Sequence, residues 1–252
     1  MTGESKWSAA RTLRKLLTYW AIFATNLGAF VIGLVFVTAL QSPLRDIGTS
    51  LVASGIVGWF SLYVVKVQEN RREGIQRLSD WGLVDVYEDR SQRKIYEKYL
   101  AKCHERLDIQ AESLTRFYSD FKDLLHVINQ KGAKIRLLIL DPESEQCKMR
   151  VKEEDAPERL DLASIIKLQT RKFLQMGLEN MQVRWYSCTP SVNYFRVDDH
   201  TFFGSYFVGL VSRNSLTFLG RASGRVTEPY STHFERVWKD FSREVPSSLD
   251  SS

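Results

Sequence analysis

Two stretches without charge dominate the first quarter of the chain. No Asp, Glu, Lys or Arg lies between Lys15 and Arg45, and none lies between Asp46 and Lys66. A helix needs about 20 mostly apolar residues to cross a hydrocarbon core of roughly 30 Å. Leu16 to Leu40 is long enough to cross with some tilt, and Ile47 to Val65 is just long enough. One soluble core helix can be this apolar. Two in succession, with charges gathered at their outer ends, read as a transmembrane hairpin over residues 16–66. The first stretch is too long for a signal peptide and lacks a small-residue cleavage site, and a second span follows directly, so it is expected to stay as an anchor.

Arg11, Arg14 and Lys15 precede the first span, and Lys66, Arg71, Arg72 and Arg77 follow the second. Basic residues accumulate on the cytoplasmic side, so both chain ends are expected in the cytoplasm of an inner (plasma) membrane, with the turn Gln41 to Asp46 outside. Much of the net charge of +5 sits in these flanks. The basic balance is therefore topological. The expected partner is the lipid bilayer and not nucleic acid. Cys103, Cys147 and Cys188 lie far apart, which argues for a reducing compartment and against a disulfide framework or a metal site.

Small residues recur at helical spacing in the spans: Ala24 with Gly28, Ala29 with Gly33, Ser50 with Ser54, and Ser54 with Gly58. Such pairs let helix backbones approach, either within the hairpin or between copies of the chain. Asn26 is a polar amide inside the first span and needs a partner.

Residues 67–81 continue the second span as a charged juxtamembrane helix that Trp81-Gly82 ends. From there to residue 243, patterning predicts strands and helices in alternation. Helices are expected over Ser91 to Glu105, Ser113 to Gln130 and Leu160 to Met176. Strands are expected at Leu83 to Tyr87, Arg106 to Gln110, Lys134 to Leu140 and Val183 to Tyr186. Glu145 to Pro157 has no apolar period and reads as a mobile loop. Strands then follow without helices near Tyr194 to Val197, Phe202 to Val208 and Ser215 to Leu219. A last helix, Ser231 to Phe241, closes the domain, and 244–252 reads as a disordered tail. This order predicts an α/β fold, one mixed sheet flanked by helices.

In order, the segments GLVDVYEDR, RLDIQAESLTRFYSDF, KIRLLILDPES, VRWYSCTP, NYFRVDDHTFFGSYF and STHFERVW resemble prokaryotic phospholipase D-like domains over nearly all of Gly82 to Trp238. The resemblance implies a mixed sheet flanked by helices, with a site formed between two halves or two protomers, and hence self-association. Active members carry HxKxxxxD followed by Gly-Ser; the His attacks phosphorus, the Lys neutralises the phosphate and the Asp supports the His. On this pattern the Asp falls on Asp198 and the Gly-Ser on Gly204-Ser205. The Lys position falls on Asn193 and the His position on Ser191. Asn carries no charge, and a serine without a base is a poor nucleophile. The motif is degenerate, and the resemblance implies a pocket that binds without hydrolysing.

Candidate ligand-binding residues are Asn193, Arg196, Asp198, His200, Asp141 and Arg90, with Arg213, Arg221 and Arg225 as further cations. If chemistry persists, His200 and His233 with Asp198 are the candidates for a rebuilt phosphodiesterase site. Asp141 opens either a ligand loop after a buried strand or a plain turn. No cofactor is expected, because no glycine-rich phosphate loop, zinc pattern or Ser-His-Asp signature occurs. Three functions stay open. The first is a membrane-anchored sensor of a phosphate ligand such as a small nucleotide, which controls hairpin association as in prokaryotic stress or phage-defence effectors. The second is a tethered phosphodiesterase, and the third a dimeric membrane scaffold.

Overall fold

A computed structural model describes residues 4–39, 44–154 and 161–249. The chain divides into two compact units, 1–76 and 77–252.

The first unit is built from two long helices, α1 (Glu4–Ala39) and the greater part of α2 (Leu44–Asp80). Their apolar segments reach mean hydropathies of 2.1 and 1.6, and both helices are long and apolar enough to cross a membrane. Their large side chains stay uncovered, Trp20, Phe60 and Tyr63 among them. The helices meet through glycine. A Cβ on Gly33 would lie 2.8 Å from the Gly48 carbonyl oxygen, and one on Gly48 would lie 2.7 Å from that of Gly33. Asn26 donates to the Ile22 carbonyl, and its amide fills the space in front of Gly58. Of the turn expected over Gln41 to Asp46, Leu44, Arg45 and Asp46 belong to α2 instead, and 40–43 lie outside the described residues.

The second unit is an eight-stranded mixed sheet in the order β1-β7-β6-β5-β2-β3-β4-β8. The strands are β1 (Leu83–Tyr87), β2 (Arg106–Ala111), β3 (Lys134–Leu140), β4 (Met181–Tyr186), β5 (Val192–Val197), β6 (His200–Ser205), β7 (Thr217–Arg221) and β8 (Ser242–Glu244). β2, β3 and β4 run parallel, and every other pairing is antiparallel. β3 is the apolar KIRLLIL run, and Leu137 to Leu140 are wholly buried, as a strand covered on both faces requires.

Helices α3 (Arg93–Leu100), α4 (Thr115–Gln130), α5 (Glu145–Glu154) and α6 (Leu162–Leu174) come before β5, and α7 (Glu228–Asp240) comes after β7. Alternation along β5 separates the two faces. Phe195 packs against Tyr96 of α3 and Phe117 of α4, whereas Tyr194 stacks on Phe234 of α7. The mixed sheet flanked by helices is thus as expected.

Three elements differ from the sequence reading. The helix expected from Ser91 spans only Arg93–Leu100, because turns take over between Ala101 and Cys103. The expected loop after Ser144 is helix α5 over Glu145–Glu154. Its anchor is polar: Arg150 is 1% exposed and pairs with buried Glu112, so an apolar period is not what folds it. The tail begins inside β8, where Arg243 bonds Asp141 and joins the sheet edge.

Candidate functional site

A cavity of ≈ 540 Å³ opens where β2 ends beside the start of β5. β2 pairs with parallel β3 on one side and antiparallel β5 on the other, and open α/β sheets bind ligands outside the carboxyl ends of their strands. Ile109, Ala111, Asn193 and Phe195 form the floor. The first turn of α4 forms one wall, and Leu162, Ile165 and Gln169, one stripe of α6, form another. The third wall is the 206–213 segment.

Local backbone geometry shapes the entrance. Leu114 is the residue before α4 and is held at φ 57, a left-handed conformation uncommon for a side chain of this size. Such outliers gather at functional sites. No side chain caps α4, so the N–H groups of its first turn are left to whatever enters the cavity.

Cations gather around the cavity. Arg90 donates from Nη1 to Ser212 Oγ at 3.0 Å and from Nη2 to the Ser205 carbonyl at 3.0 Å, while its buried Nε has no acceptor. The guanidinium lies 4.7 Å from the centre of the Tyr206 ring, and that of Arg150 lies 5.0 Å from the same ring. Arg116 and Arg213 stand exposed at the mouth with no ion pair among the described residues, whereas Arg93 faces Asp120 at 3.6 Å. Burial raises the Tyr96 phenol to about 12 and the Tyr206 phenol further, so both stay neutral donors.

The sequence-derived candidates divide. Arg90, Asn193 and Arg213 line the cavity. Ser191 is exposed just before β5 and is not part of the lining. Asp198 lies at the other end of β5, roughly 17 Å along the strand from Asn193. There, at φ 49, its carboxylate accepts the N–H groups of His104, Glu105 and Arg106 at 3.1, 3.0 and 2.8 Å. Burial alone would raise its pKa, but these three donors hold it below the usual range. Asp198 therefore ties β5 to the start of β2.

Arg196 is on the α7 face and donates to the Asp198 carbonyl at 2.8 Å. His200 shares the cavity's face but sits at the far end of β6, with its ring 4.8 Å from that of Tyr99 and Nδ1 2.6 Å from Asp199. His233 is on α7, on the other face, within 3.3 Å of the Gln110 amide, and burial lowers its pKa. The sheet thus separates the two histidines. Asp141 accepts Arg243 at 2.6 and 3.0 Å and is not part of the lining. Arg221 and Arg225 are exposed elsewhere.

Gln169 and the buried pair Glu112–Arg150 were not among the sequence candidates. A glutamine on the apolar stripe of α6, seven residues after Leu162, was the available signal. No group of three or more His, Cys, Asp or Glu able to hold a metal occurs among the described residues.

No family model and no curated protein matches the chain. Solved structures do resemble it. One is TrmBL2, an archaeal chromatin protein with a novel mode of DNA binding, at 10% identity and TM-score 0.44, over 78% of this chain and 70% of that one. Another is phosphatidylserine synthase of Haemophilus influenzae Rd KW20, at 11% identity and TM-score 0.45, over 64% and 39%. A third is NucT of Helicobacter pylori, at 10% identity and TM-score 0.39, over 62% and 96%. At one residue in ten identical, the likeness is to the general course of the chain.

Proposed function

We propose that the chain is a membrane-anchored, catalytically degenerate phospholipase D-like protein whose cavity binds a phosphate-bearing ligand without hydrolysing it. The observation that carries this is the chemistry of the lining. Arg90, Arg93, Arg116 and Arg213 contribute to it, and no histidine or lysine does. Asn193 stands on β5 where the resemblance puts the phosphate-neutralising lysine. The arginine forks and the uncapped start of α4 suit an anion, the acids of the lining, Glu112 and Asp120, face Arg150 and Arg93, and the histidine that serves as nucleophile in the phospholipase D pattern is not in the lining.

The helical hairpin anchors the domain in an inner membrane with both chain ends cytoplasmic, and ligand binding biases how hairpins of neighbouring copies associate. By analogy, such a device serves a prokaryotic stress or phage-defence effector. A rebuilt phosphodiesterase site with both histidines is disfavoured, since they lie on opposite faces of the sheet.

The test is thermal melting of the full-length protein in detergent against a panel of nucleotides and phosphate metabolites. A ligand at one hundred times its Kd adds about 2.7 kcal/mol, or roughly 5–10 °C for a domain of this size. One or more phosphate compounds are expected to give that shift, with an Arg116→Ser/Arg213→Ser double variant losing most of it. A panel without any shift refutes the reading.

A further inference from the structure

Three amide side chains of the lining have a buried oxygen without a partner, Gln110, Gln169 and Asn193; the Gln110 amide lies within 3.3 Å of His233 on the α7 face, which leaves Gln169 and Asn193 on the cavity's side. Gln169 is 4% exposed and Asn193 is 9% exposed, and the oxygen of each is buried with no hydrogen-bond partner. A buried polar group without a partner costs free energy that a packed apolar residue would not. These two sit on different elements, α6 and β5, and both line the same cavity.

The chemistry of an amide narrows the ligand. Each amide offers a donor and an acceptor side by side, which an inorganic anion cannot match. A base edge with adjacent donor and acceptor can, as adenine does at N6 and N7. An aromatic cluster lines the same cavity. Phe195 on the floor lies 5.1 Å from Tyr96 and 5.6 Å from Phe117, ring centre to ring centre, and all three line the cavity. Such faces stack bases. The exposed Arg116 and Arg213 at the mouth supply the charge for a phosphate.

We infer that the ligand is a small nucleotide with an adenine-type base, read by Gln169 and Asn193 and stacked on the aromatic cluster, with its phosphate at the arginine mouth. The inference rests on the phosphate-binding reading above and adds the base.

Calorimetric titration of the full-length protein in detergent with adenosine 5′-monophosphate and with ribose 5-phosphate tests it. The nucleotide is expected to bind about tenfold or more tightly than the sugar phosphate, the worth of one hydrogen-bonded base edge. In Gln169→Met and Asn193→Leu that preference shrinks to about threefold or less, without a lower Tm, because each change removes an unsatisfied buried group. Equal affinity of the wild type for both compounds overturns the base and leaves the phosphate standing. A preference that survives both substitutions also overturns it. Binding of neither compound overturns the base and leaves the phosphate to the melting panel, and tighter binding of a short-chain phosphatidic acid, titrated alongside, overturns the base by giving the cavity to a lipid.

Discussion

Single residues carry distinct duties on β5, and the sequence pattern conceals the division. Asn193 and Asp198 belong to one motif on paper, yet a strand keeps them at opposite ends. Asp198 is a structural clamp that satisfies three backbone donors from a left-handed conformation. Asp198→Ala should therefore cost about 2–3 kcal/mol in stability, through the orphaned N–H groups and the loss of a residue type that tolerates positive φ. Chemical denaturation measures it. The pH dependence follows in sign. The lowered pKa of Asp198, and of Asp141 under Arg243, adds stability above the unfolded carboxylate value near 4. That stability is lost as pH falls through the still lower folded values. Melting curves should show the wild type losing Tm below about pH 4, and Asp198→Ala losing less over the same interval. What was legible at this scale was the departure from the motif, since Asn193 and Ser191 can be read as letters. That Arg196 lies against α7 and that His200, though on Asn193's face, lies at the far end of β6 was not legible, because it depends on strand register and on which face each neighbour covers.

Elements were legible wherever burial is apolar. β3 declares itself by six consecutive buried positions, and α4 by its buried Phe121, Leu125 and Ile128. Where burial is polar, the pattern fails. α5 is held by buried Arg150 against Glu112, and β8 by half-exposed Arg243 against buried Asp141, and no periodicity announces an ion pair. The same physics fastens α7. Arg136 donates to Asp108 at 2.6 Å and to Glu235 at 2.7 and 2.9 Å, and its guanidinium lies 4.8 Å from the Phe234 ring. Burial pushes the Asp108 carboxyl up to about 6 even against the pull of Arg106. Arg136→Met should cost about 3–5 kcal/mol by leaving Asp108 buried with half its partners, and Arg136→Met/Asp108→Leu should cost less than that single change. Urea denaturation of both variants separates a lost partner from lost packing.

At the scale of the whole molecule, two units of different chemistry share one chain. The hairpin was legible from charge distribution alone; the glycine contact that closes it was visible only as spacing. Gly33→Leu places a side chain where the Gly48 carbonyl oxygen and the Val52 amide already stand, at 2.8 and 2.9 Å from its Cβ. It should force the helices apart and change the oligomeric state in detergent, as read by size-exclusion with light scattering, while the sheet domain keeps its ligand-induced melting shift. The central claim is that the domain holds a phosphate compound and leaves it intact. Native mass spectrometry of the full-length protein released from micelles, after incubation with the best nucleotide of the panel, tests this most directly. The account predicts a complex heavier than the free protein by the mass of the unbroken nucleotide. A complex carrying a hydrolysed fragment, or free product accumulating with time, would contradict it.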